Sequence, residues 1–105
     1  MILYILEILP VAEQWIVNEN YHRINGPAVL FFTGEQHWYK KGKLHRDDGP
    51  ALIYATGEQH WCKKGKLHRD DGPALIYATG EQRWYLNDKY YTEERYNTEL
   101  NDRMK

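Results

Sequence analysis

Four tryptophans, Trp15, Trp38, Trp61 and Trp84, stand 23 residues apart in a chain of 105. That period constrains the fold more than any other feature. Written from each Gly-Pro, the units are GPAVLFFTGEQHWYKKGKLHRDD (26–48), GPALIYATGEQHWCKKGKLHRDD (49–71) and GPALIYATGEQRWYLNDKYYTEE (72–94). Upstream, residues 3–25 keep Glu13, Gln14, Trp15, His22 and Arg23 at or near the same phase but lack the Gly-Pro and both turn glycines. They read as a degenerate capping unit. A unit this short closes no core of its own and buries its apolar surface against its neighbours, so the end units are atypical.

Within a unit, Pro50-Ala51-Leu52-Ile53-Tyr54-Ala55 is rich in strand formers. Thr56-Gly57 follows as a turn, and 58–63 reads as a return strand. Lys64-Gly65-Lys66 supplies a second reversal, since glycine permits the positive φ that hairpins need. No crossover helix fits in 23 residues, so successive strands are antiparallel and adjacent. The expected fold is mainly β: an elongated antiparallel β-meander of tandem hairpin repeats, one domain over 1–105, closed by a C-terminal α-helix. About eight strands at roughly 4.8 Å each give a ribbon on the order of 35–40 Å long.

Alternation puts Ala51, Ile53 and Ala55 on one face and Leu52 and Tyr54 on the other, so both faces carry apolar residues. Phe31, Tyr54 and Tyr77 form one row across the strands and the tryptophans another. At the C-terminus, Thr92 is a candidate N-cap and Glu93 and Glu94 suit a first helical turn. Tyr96, Leu100 and Met104 recur every four residues, predicting a capping helix over 92–104. In repeat register, Ile5 to Leu9 fall on Ala28 to Phe32 and read as an edge strand. The run from Met1 to Leu9 has no basic leader, contains Glu7 and is too short to cross a bilayer.

With 14 Lys and Arg against 15 Asp and Glu, the net charge is -1, which supplies no general attraction to nucleic acid or to anionic membrane. No membrane association is expected. Cys62 is the sole cysteine and stands where other units have Tyr39 and Tyr85. It is a repeat variant with no disulfide partner, which favours a reducing, cytoplasmic setting.

The segment that most resembles chemistry is His-Arg-Asp-Asp-Gly-Pro, at 45–50 and 68–73. Paired carboxylates beside a histidine suit a divalent cation or acid-base work, whereas Asp-Gly-Pro is also ordinary turn chemistry. The first copy, His22-Arg23-Ile24-Asn25-Gly26, lacks both carboxylates yet keeps the rest, which favours the turn. Arg46 and Asp70, one repeat apart, are then expected to add an ion-pair ladder worth little. A catalytic site is built once from residues in different roles, whereas every polar motif here recurs with the period. The chain is therefore expected to be no enzyme and to hold no cofactor or metal. Whether Asp47, Asp48, Asp70 and Asp71 ever bind a cation stays open.

Three binding readings follow. In the first, a protein partner docks on exposed aromatics and arginine: Phe31, Tyr39, Tyr54, Tyr77, Tyr85 and Arg83, with His37 and His60 adding polar contacts. The competing view packs those side chains beneath the terminal helix. In the second, Lys40, Lys41, Lys63 and Lys64 form basic turns interleaved with aromatics that track single-stranded nucleic acid. Asp47, Asp48, Asp70 and Asp71 then occupy an opposite, acidic margin. In the third, edge strands pair two copies into a homodimer or a longer assembly.

The repeated His-Arg-Asp-Asp-Gly-Pro-Ala, Thr-Gly-Glu-Gln-x-Trp and Lys-Lys-Gly-Lys-Leu strings resemble the MORN-like hairpin repeats of small tailed-phage and giant-virus proteins. Tyr91-Thr92-Glu93-Glu94-x-Tyr96 is similar to their helical end, and the resemblance covers Tyr21 to about Leu100. The Tyr-x-Gly core and Gly-x-Gly pairs of ordinary MORN repeats are absent, so phospholipid binding is not carried over. What the resemblance implies is an elongated antiparallel sheet in a viral accessory protein without catalytic machinery. Such proteins act by occluding a host protein, here a phage-encoded inhibitor of a host defence component of anti-CRISPR or similar type.

Overall fold

The computed structural model describes residues 5–8 and 12–104. The first unit contributes β1 (Ile5–Ile8), β2 (Ala12–Val17) and β3 (Asn20–Tyr21). The expected edge strand is β1, and Met1 to Tyr4 and Leu9 lie outside the described residues. The second unit makes β4 (Val29–Phe31), β5 (Gln36–His37), β6 (Tyr39–Lys40) and β7 (Lys43–Leu44). The third repeats this as β8 (Leu52–Ile53), β9 (Gln59–His60), β10 (Cys62–Lys63) and β11 (Lys66–Leu67). The last has β12 (Leu75–Ile76), β13 (Gln82–Leu86), β14 (Lys89–Tyr91) and α1 (Glu93–Arg103).

The main sheet runs β1-β2-β4-β5-β8-β9-β12-β13-β14, every neighbour antiparallel. It is the meander that two hairpin turns per unit require. The slab is 44 Å long and only 17 Å thick, one sheet layer with side chains on both sides.

The inner units differ from expectation in having four short strands and not two. The return strand expected over 58–63 breaks at Trp61, as its counterpart breaks at Trp38. Trp38 N–H donates to Ala51 O (2.6 Å) in the main sheet, while Trp38 O accepts from His45 N–H (2.9 Å) in the next hairpin. One residue thus serves two ladders. The hairpins β6–β7 and β10–β11 are joined through Gly65 N–H to Leu44 O (2.8 Å) and Arg46 N–H to Cys62 O (3.1 Å). In the end units β2 and β13 pass through Trp15 and Trp84 unbroken.

Two turn types explain the glycines. Gly34, Gly57 and Gly80 hold φ of +95, +97 and +94° and close three-residue turns in which Phe31 N–H donates to Glu35 O and Gly34 N–H to Phe31 O. The second reversal takes two positive-φ residues, Lys41-Gly42 (+54, +79°) and Lys64-Gly65 (+53, +81°), matched by Asn18-Glu19 and Asn87-Asp88. This is the type I′ pattern, which prefers Asn over Lys at its first position. Lys64→Asn is therefore expected to raise stability by about 0.5 kcal/mol, seen as a melting temperature roughly 2–4 °C higher.

The register divides the side chains between two faces. Leu30, Gln36, Ile53, Gln59, Ile76 and Gln82 lie in one straight row across the strands. The tryptophans share that side, since Trp38 Nε1–H donates to Gln36 Oε1 (3.2 Å). Trp15, Trp38 and Trp61 donate their backbone N–H to the carbonyls of Ala28, Ala51 and Ala74, each of which is fully buried. Val29, His37, Leu52, His60, Leu75 and Arg83 make the adjoining row and face the other way.

Thr92 caps α1, its hydroxyl accepting from Arg95 N–H (3.2 Å), with Glu93 and Glu94 in the first turn. The helix packs on the tryptophan side of β13 and β14. Leu86, Tyr91 and Tyr96 form a buried cluster there, with Trp84 and Leu100 against it. Met104, expected on the same stripe, is 83% exposed and stands at the C-cap, beyond the last helical residue.

Candidate functional site

The His-Arg-Asp-Asp-Gly-Pro segment closes each unit onto the sheet. The Arg46 guanidinium lies over the Trp38 ring, 3.7 Å from its centroid, and donates to Pro50 O (3.2 Å). A Cβ on Gly49 would stand 2.6 Å from Arg46 Cζ, so the guanidinium is sandwiched between an indole and a glycine. His45 Nδ1 accepts Lys64 N–H of the next hairpin (3.0 Å) while Nε2 meets Asp47 (3.0 Å).

The arrangement recurs. Arg23 covers Trp15 at 3.9 Å and Arg69 covers Trp61 at 3.7 Å, and His22 and His68 accept from Lys41 and Asn87 N–H, both at 3.0 Å. The first copy makes these contacts without either carboxylate, so the aspartates are accessories. Trp61 differs from Trp38 in that its indole N–H is buried without a partner among the described residues; no function attaches to it.

The expected Arg46–Asp70 ladder does not form. Arg46 pairs with Asp48 of its own loop (3.2 Å) and Arg69 with Asp71 (2.9 Å), because carboxylates two residues on in a tight loop reach the guanidinium first. Asp70 lies between His68 (2.9 Å) and Lys63 (3.5 Å). Burial raises its carboxyl pKa, but the hydrogen bonds and charges of those two neighbours outweigh that and hold it below its ordinary value. The Lys63–Asp70 contact also removes the expected division into a basic and an acidic margin. Among the described residues, no three His, Cys, Asp or Glu side chains converge to hold a metal ion.

On the fourth unit Tyr91-Thr92 replaces His-Arg, and Tyr96 from α1 takes over the closing role. Its hydroxyl donates to Arg69 O and accepts from Gly72 N–H (3.3 Å). Burial, opposed by the bond from Gly72, holds the phenol above its ordinary pKa, so it remains a donor.

The opposite face gathers the residues expected at a docking site. Phe31 contacts His37 (centroids 5.1 Å), Tyr54 contacts His60 (5.3 Å) and the Arg83 guanidinium lies 5.7 Å from the Tyr77 ring. Tyr39 continues this face two residues beyond His37 (6.3 Å), as Tyr85 does beyond Arg83 on β13. All eight residues therefore share one side of the sheet, each half-buried. They do not lie beneath α1, which is on the other side.

Three carboxylates not expected at the site join it: Glu35 with His37 (3.3 Å), Glu58 with His60 (2.8 Å) and Glu81 with Arg83 (2.6 Å). Their i, i+2 spacing in Glu-Gln-His-Trp carries the signal. Tyr21, stacked near Tyr39 (5.1 Å), and Tyr90, edge-on to Tyr85 (5.7 Å), extend the aromatic surface. The second, third and fourth units thus present the same station, an aromatic ring beside an acid and a nitrogen side chain.

The lysines are placed differently. Lys40 alternates with Tyr39 and lines a cleft of about 550 Å³ floored by Trp38, and Lys63 meets Asp70 beside Trp61. Both belong to the tryptophan side, while Lys41 and Lys64 sit at the hairpin tips. Lys40 and Lys63 thus lie on the other side of the sheet from Phe31, Tyr54 and Tyr77.

Cys62, at the Tyr39 position, is 4% exposed. Burial, and then the Asp88 carboxylate, push its thiol from 9.0 up to about 11. At pH 8 its thiolate fraction is then about 100-fold below that of an ordinary thiol, so alkylation in the folded chain is expected to be slower by that factor than after denaturation. Equal rates would mean that this hairpin opens freely.

No helix among the described residues is long and apolar enough to cross a membrane. No protein-family model, no curated protein and no solved structure matches the chain.

Proposed function

We propose that this chain is a non-enzymatic protein-docking module whose partner covers the aromatic face. What supports the reading is the division of labour between the two sides. The stacked guanidinia and the terminal helix lie on the tryptophan side, while the other side buries the smaller side chains Val29, Leu52, Leu75 and Cys62. Phe31, Tyr39, Tyr54, Tyr77, Tyr85 and Arg83, with His37 and His60, remain half-exposed on the other, and aromatics and arginine are the residue types that anchor interfaces. Following the MORN-like resemblance, the proposal extends to a viral, phage-encoded inhibitor that occludes a defence protein in the host cytoplasm.

Affinity capture from bacterial lysate with a tagged chain, with and without nuclease, tests this. One protein retained after nuclease treatment is the expected result. Recovery of nucleic acid and its associated proteins alone would transfer the weight to the basic turns, with affinity falling steeply with salt. Self-assembly through the β1 edge predicts instead a homodimer by light scattering.

A further inference from the structure

The three stations are related by a translation of two strands at constant register. Leu30, Ile53 and Ile76 share one straight cross-strand row, so the residues that follow them, Phe31, Tyr54 and Tyr77, share the next. At about 4.8 Å per strand, successive stations are about 9.6 Å apart. A ligand that engages all three must offer equivalent groups at that interval on one side.

Regular peptide conformations differ in whether they can. An extended strand rises about 3.3 Å per residue and alternates sides, so groups three residues apart, near the right distance, point in opposite directions. An α-helix lying across the strands presents one face every seven residues, about 10.5 Å, and has slipped by nearly 2 Å at the third station. Polyproline II has three residues per turn and about 3.1 Å per residue, so every third side chain returns to the same side after about 9.3 Å. Its slip over three stations is about 0.6 Å.

Chemistry agrees with spacing. Polyproline II leaves its backbone carbonyls unpaired, and its proline rings pack on aromatic side chains. The tyrosine hydroxyls are donors, while Phe31, Tyr54 and Tyr77 supply rings. A carboxylate stands at each station; Glu81 is neutralised by Arg83 at the third, whereas Glu35 and Glu58 stand beside histidines, so the first two stations match cations three residues apart.

We propose that the aromatic face is a receptor for a proline-rich, basic segment in polyproline II conformation, laid across the strands with one three-residue turn per station. The inference rests on the docking reading and specifies its partner. The probe is the peptide acetyl-(Pro-Pro-Arg)4-amide, titrated by calorimetry into the full chain and into Tyr54→Thr. A control peptide of the same composition has its arginines grouped at one end. The expected result is saturable binding of the periodic peptide, at least ten-fold weaker for the grouped control and for Tyr54→Thr, with the variant's melting temperature held. Equal binding of both peptides, or equal binding to wild type and variant, would reduce the effect to general charge attraction and overturn the proposal. Capture of a cellular protein through this face with no binding of the periodic peptide would overturn it too, and leave the docking reading standing.

Discussion

Replacing Tyr96 with alanine is expected to remove about 3–5 kcal/mol of unfolding free energy, a large share of the total for a domain of this size. Tyr96 is one of the two largest fully buried side chains, and it joins α1 to the sheet at the unit that has no stacked guanidinium. Tyr96→Phe keeps the ring and loses the hydroxyl that bridges Arg69 O and Gly72 N–H, at an expected cost of about 1–2 kcal/mol. Urea denaturation of both variants measures the two contributions. A loss below about 1 kcal/mol for Tyr96→Ala would mean that the helix only rests on the sheet.

The second large effect lies in a glycine. Gly49→Ala puts a methyl where the Arg46 guanidinium packs, and the arginine must leave Trp38 and Pro50 O. A partly desolvated cation-π contact and a charge-assisted hydrogen bond together are worth about 2 kcal/mol. The Asp48 pair adds little, since that carboxylate is 86% exposed. Arg46→Ala should cost about the same, and the double variant scarcely more than either alone, a coupling of roughly 1.5–2 kcal/mol. Additive losses in that double-mutant cycle would show that the glycine serves its loop and not the guanidinium.

Those two predictions mark where the sequence is legible. The period, the positive-φ glycines and the Thr92 cap act within a few residues, so the meander and the terminal helix can be read directly. Side-chain alternation also foretells that Phe31, Tyr54 and Tyr77 align. The break at Trp38 and Trp61 has no local mark: Trp15 makes the same pair of bonds, to Ala28 O and from His22 N–H, within an unbroken β2. The stacking of Arg46 on Trp38 recurs as Arg23 on Trp15, where the strand is unbroken; it is a contact between residues eight apart that no local pattern marks, which explains why His-Arg-Asp-Asp reads as chemistry when its work is closure. The choice of which face α1 covers is a tertiary matter: both faces carry apolar residues, and the side of Trp84 wins because Leu86 and Tyr91 flank it there.

The side of each lysine follows the same logic. Tyr39 and Lys40 are adjacent in sequence and hence on opposite faces, and a list of basic and aromatic residues conceals this. It is the strongest structural argument for a protein partner over a nucleic-acid strand on the aromatic row.

The stacked guanidinia and the helix close one face, and the half-exposed rings of the other are left to bind. The most direct test is the paired variant Tyr54→Thr/Tyr77→Thr, compared with wild type for melting temperature and for retention of the captured partner. Retention at least ten-fold weaker, about 1.4 kcal/mol or more, is expected, with melting within about 5 °C of wild type. Unchanged retention, or retention lost only as the sheet itself unfolds, would contradict it.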